Sequence, residues 1–151
     1  MKSMANSGRL AIWLCALAPL HALSASLPIK PGLWEEETTV KRGGGEPHTV
    51  TIKHCLTEAD LSKNRFYQTI DRMKSNKACH LDQFNDTGKS VNASWACSGT
   101  NVDMHGSGEL VFDTDTHFHA STSEHTVAAG RALDTSVVVN AHWLSTCSAG
   151  G

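Results

Sequence analysis

Several ingredients of common active sites are missing from this chain of 151 residues. No Cys-x-x-Cys pair occurs, and without one a four-cysteine zinc site lacks its usual frame. No Gly-x-Ser-x-Gly elbow is present, so the turn that lifts a hydrolase nucleophile above a sheet is absent. Gly43-Gly44-Gly45 is a run of three glycines, yet it has no strand-to-helix frame for cradling phosphate. Basic residues are few, 13 Lys and Arg against 15 Asp and Glu, and they form no cluster. That argues against a nucleic-acid partner and against an anionic membrane surface. On these grounds the chain is expected to be no enzyme and to carry no cofactor.

Long apolar runs are also lacking. The longest, Leu10 to Leu23, has 14 residues, short of the roughly 20 that span a bilayer. Lys2 and Arg9 precede it, and the small residues of Ala22-Leu23-Ser24 and Ser24-Ala25-Ser26 follow. This order predicts a secretory signal peptide over 1–26 and a single domain over 27–151, with no integral membrane segment after cleavage. Losing Lys2 and Arg9 leaves 11 basic against 15 acidic residues, a net charge near −4. Cys15 goes with the leader, and Leu14 before it is not the small residue of a lipidation site. Cys55, Cys79, Cys97 and Cys147 remain, an even set that implies two disulfides and a periplasmic or secreted location.

What is present is strand pattern. Residues 79–97 form two strand-like runs around Asp86-Thr87-Gly88, with a cysteine at each outer end, which reads as a stapled hairpin. Four cysteines allow three pairings; the hairpin favours Cys79–Cys97 and leaves Cys55–Cys147. Upstream, Trp34 to Val40 and His48 to Leu56 alternate about the glycine run, which sets Val40 near Val50 and Trp34 near Leu56. Thr57-Glu58-Ala59-Asp60 has an N-cap spacing and opens one or two short helices over 58–73, with a break near Ser62 to Asn64. Met104 to Phe112 and Thr116 to Val127 make a third hairpin. Ala128 to Leu133 reads as a loop, and Ser136 to Cys147 as the last strand. The fold class is therefore mainly β: an up-and-down antiparallel curved sheet or small barrel of about seven strands with a short helical insertion. A two-sheet sandwich is the alternative.

The sharpest local chemistry lies in histidines. His117 and His119 point the same way on a strand, and the hairpin is expected to bring Glu109 to His119 and His105 to His125. Such a set suits weak zinc or copper binding; the plainer reading is a polar, solvent-facing strand side shared with Ser107, Ser121 and Ser123. Trp34, Trp95, Trp143, Phe112 and Phe118 either fill the interior or wall a cavity for a small hydrophobic ligand. A filled interior leaves the surface to act, as an envelope-protein interaction or stress-related module, and that is the reading preferred for so few residues spread over seven strands.

Pro31-Gly32-Leu33-Trp34-Glu35, Cys55-Leu56-Thr57-Glu58-Ala59-Asp60-Leu61, Cys97-Ser98-Gly99 with Gly106-Ser107-Gly108, and His142-Trp143-Leu144-Ser145-Thr146-Cys147 follow one another in order. Together they resemble a bacterial family, domain of unknown function 3617, over roughly 31–147. The resemblance implies a small exported envelope protein with four paired cysteines and no established activity, and it carries no catalytic residue with it. His117, His119 and His125 depart from the Met/Thr-rich strands usual there.

Overall fold

Strand formation follows the alternation. In the computed structural model, which describes residues 27–62 and 65–147, the elements run β1 (Gly32–Arg42), β2 (His48–Leu56), α1 (Glu58–Ser62), α2 (Arg65–Ser75), β3 (Cys79–Asp86), β4 (Ser90–Gly99), β5 (Val102–Thr114), β6 (His117–Ala128) and β7 (Arg131–Ser145). The expected leader, residues 1–26, lies outside the described residues. All seven strands belong to one antiparallel sheet in the order β2-β1-β7-β6-β5-β4-β3, so the two-sheet sandwich does not form. The first strand pairs with the last, from Leu33 opposite Ser145 to Arg42 opposite Thr135. Thus the curl is sealed at β1/β7 and left open between β2 and β3. Helices α1 and α2 lie in the chain between those two edge strands.

Parity assigns the two faces. The inner face carries Trp34, Val91, Ala93, Trp95, Leu110, Phe112 and Ala141, all buried. One cluster gathers Ile29, Trp34, Leu61, Leu110, Phe112 and Ala141 under α1, with Phe118 and Trp143 packed against it. The other gathers Ile70 of α2 with Ala93 and Trp95, bordered by Met73, Leu81 and Met104. Trp34 is 0% exposed, its ring 5.4 Å from that of Phe118, and its Nε1–H donates to the Lys30 carbonyl at 3.0 Å. Trp143 Nε1–H donates to the Pro31 carbonyl at 3.2 Å. Those two indoles fix the Pro31-Gly32-Leu33-Trp34 entry, and Gly32 is needed there because a Cβ would run into the Trp143 ring.

Local signals account for the helices and turns. Thr57 and Asp60 make a reciprocal cap: the Asp60 amide donates to Thr57 Oγ1 at 3.2 Å and the Thr57 amide to Asp60 Oδ2 at 2.9 Å. The first hairpin is tighter than the sequence suggests. Val40 pairs with His48 and Thr38 with Val50, so the register shifts by two residues and the faces stay unchanged. At the far end, β7 begins at Arg131, within the stretch read as a loop. The β6–β7 connection is only Ala129-Gly130, both at positive φ (48° and 77°), the backbone a two-residue hairpin demands. Disulfides join Cys79 to Cys97, directly opposite in the β3–β4 ladder, and Cys55 to Cys147 across 92 residues of sequence.

Candidate interaction surface on the outer sheet face

The outer face is built by the residues that alternate with the core. Along four strands the register aligns Ser94 with Ser107, Ser107 with Ser123, and Ser123 with Ser136. The next row is Asn92, Glu109, Ser121 and Val138. The two rows border a groove of about 500 Å³ that crosses β4 to β7, and Ala93, Gly108, Thr122 and Val137, which lie between the rows, also line it. Side chains of the inner face in the adjoining rows, such as Trp95 and Leu110, do not line it, which places the groove outside the curl. No Lys or Arg lines the groove, and Glu109 is its one charged residue.

Histidines stand at both ends. At one, His105 faces His125 across β5–β6, and His125 Nδ1 lies 2.7 Å from Asp134 Oδ1. At the other, Asp113 Oδ2 sits 2.7 Å from His117 Nδ1 and 2.8 Å from His119 Nδ1. Those contacts hold the Asp113 carboxyl below its ordinary range, the His119 hydrogen bond contributing most. Farther along, His142 Nε2 is 3.3 Å from Glu35 Oε1, and Lys53 Nζ is 3.0 Å from Glu35 Oε2.

The expected histidine neighbours divide. His105 and His125 do oppose each other, whereas His119 lies opposite Val111 and Glu109 opposite Ser121. A bulge between Phe112 and Thr114 re-aims the chain at Asp113, and that carboxylate takes both imidazoles. Among the described residues, no three His, Cys, Asp or Glu side chains are gathered so as to hold a metal ion.

Of the five large aromatics, Trp34, Phe112, Phe118 and Trp143 belong to the first cluster and Trp95 to the second. Neither the outer groove nor a smaller cleft of about 350 Å³, lined by Val40, Arg42, Glu46 and His48, is lined by any of them. The four cysteines do not line the groove and are joined in two disulfides. No helix among the described residues is long and apolar enough to cross a membrane. Sequence parity identified the polar strand side; it had no access to the four-serine alignment, which depends on three hairpin registers at once.

No curated protein and no solved structure matches the chain. A family profile described as "Protein of unknown function (DUF3617)" matches residues 29–147, which covers the whole sheet, both helices and all four paired cysteines. The chain belongs to that family.

Proposed function

We propose that this protein is an exported, non-enzymatic module of the bacterial envelope that works through its outer sheet face. The observation that carries the reading is the division of labour between faces. The inner face spends its aromatics on two packed clusters, while the outer one presents a groove bordered by Ser94, Ser107, Ser123 and Ser136. Their hydroxyls, with Asn92 and Glu109, offer donors and acceptors to a hydrogen-bonding partner. Each such bond contributes about 0.5–1.5 kcal/mol net, so useful affinity needs several at once, which an extended partner lying across the strands supplies. The groove's one charge is negative, which disfavours anionic partners.

Native mass spectrometry of protein purified from its own envelope extract tests this. The expected species starts near residue 27, is four hydrogens lighter than the reduced chain because of its two disulfides, and carries no acyl-lipid adduct. A retained lipid would transfer the function to a hydrophobic carrier. An intact leader with free thiols would remove the export reading altogether.

A further inference from the structure

The curl leaves two sheet edges, and they are unlike each other. The β3 edge is blunted: a bulge interrupts it between Leu81 and Gln83, and Asp82 and Asp86 lie along it. Tyr67 of α2 bonds Asp86, and Lys74 of the same helix lies 4.7 Å from the Phe84 ring centre. The β2 edge has none of these protections. Its pairing with β1 runs without a register shift from Leu56 to His48, and it contains no proline and no carboxylate. Val50 and Ile52 face the concave side at 45% and 47% exposure. Lys53, its one Lys or Arg, points outward to Glu35. An edge with no bulge, proline or carboxylate, and with apolar side chains exposed on it, is a template for another strand.

We infer that β2 is a self-association edge, and that its occupant is β2 of a second copy of this chain. The strand is complementary to itself. Antiparallel pairing about Thr51 sets Val50 against Ile52 of the second copy and Thr49 against its Lys53, with no acidic residue opposite. His48 then faces His54 at the outer ends of the paired segment. The contact closes, because a two-fold pairing uses the same edge on both copies. A head-to-tail β2–β3 contact would instead propagate, and the β3 bulge and carboxylates oppose it. The product is one continuous sheet through both copies, with the two outer grooves facing away from the seam. The seven residues paired in this register, 48–54, span about 24 Å, an interface below the 1,200 Å² or so of stable complexes. Association is therefore reversible and concentration-dependent.

Sedimentation velocity on the disulfide-intact chain, from roughly 1 to 300 µM to bracket small-interface affinities, tests the inference. The expected result is a monomer that doubles in mass within that range and goes no further. Val50→Lys and Ile52→Lys put ammonium groups into the seam at positions already exposed, so the fold is kept and both variants stay monomeric throughout. Ser107→Arg, in the groove, leaves the dimer unchanged. As a second readout, a spin label at Thr51→Cys broadens strongly in the dimer, since the two labels meet at the two-fold axis. A wild-type chain that remains monomeric at the highest concentration overturns the inference. So does a dimer that survives Ile52→Lys, or a ladder of higher oligomers.

Discussion

Gly106 sits on the inner face of β5 directly under the Trp95 ring, and a Cβ there would overlap the indole. Overpacking of this kind typically costs about 1–3 kcal/mol. Gly106→Ala should lower the melting temperature by several degrees and disturb the near-UV circular dichroism of the tryptophans. An unchanged melt would mean that the indole does not lie across the glycine. Tyr67 offers a cleaner probe, because it is the only tyrosine in the chain. Burial, then its hydrogen bond to Asp86 and that carboxylate's charge, push its pKa up to about 12. A raised folded-state value means stability that is fully present below the ordinary tyrosine value near 10 and lost as pH climbs through about 12. Absorbance titration at alkaline pH should therefore show one late phenolate transition, and Asp86→Asn should move it towards 10. A midpoint near 10 in the wild type would undo the Tyr67–Asp86 contact that anchors α2 to the end of β3.

At the scale of elements, the β5–β6 hairpin holds both the most legible and the least legible parts of the chain. Leu110, Phe112, Phe118 and Ala120 share parity, and they meet as Leu110 with Ala120 and Phe112 with Phe118. A period of two is enough to place side chains on faces, and no single turn can spoil it in pairs. Asp113 was not legible as the partner of His117 and His119, since it is the extra residue of a bulge, and bulges leave no periodic trace. Likewise Arg131 to Leu133, the start of β7, read as loop, and Ala129 gives no hint of its positive φ. The serine rows of the groove were legible as a polar face and illegible as an alignment. Asp113 has a testable consequence. Its folded pKa is lowered, so the stability it contributes is present above the unfolded carboxylate value of about 3.9 and disappears as pH falls through the folded value. Acid unfolding of the wild type should lose an increment in that window which Asp113→Asn lacks, and above the window the variant should be the less stable of the two. Parallel acid-unfolding curves for the two proteins would show that the carboxylate is not held by the imidazoles in solution.

The whole molecule is a sheet curled far enough for its first and last strands to pair, and its integrity rests on that seam. Closing it brings β1 beside β7 across nearly the full chain length, the kind of long-range pairing whose loop-closure entropy must be met before its contacts form. Cys55–Cys147 acts on that term. It ties the end of β2 to Cys147, two residues past β7, across β1, and closes a loop of 92 residues. Cys79–Cys97 closes only 18, within a hairpin that neighbouring ladder bonds already hold. In the loop-entropy account the long bridge removes about 4.6 kcal/mol of unfolded-state freedom and the short one about 3.2 kcal/mol. The double variant Cys55→Ser/Cys147→Ser should then lose about 1.4 kcal/mol more than Cys79→Ser/Cys97→Ser in denaturant unfolding. Its first region to gain hydrogen exchange should be β1 and β2, where the sheet would be held by ladder bonds alone. If the hairpin variant proves the weaker one, or β3 and β4 open first in both, then the β3–β4 hairpin under α2 holds the fold together and the β1/β7 seam merely follows it.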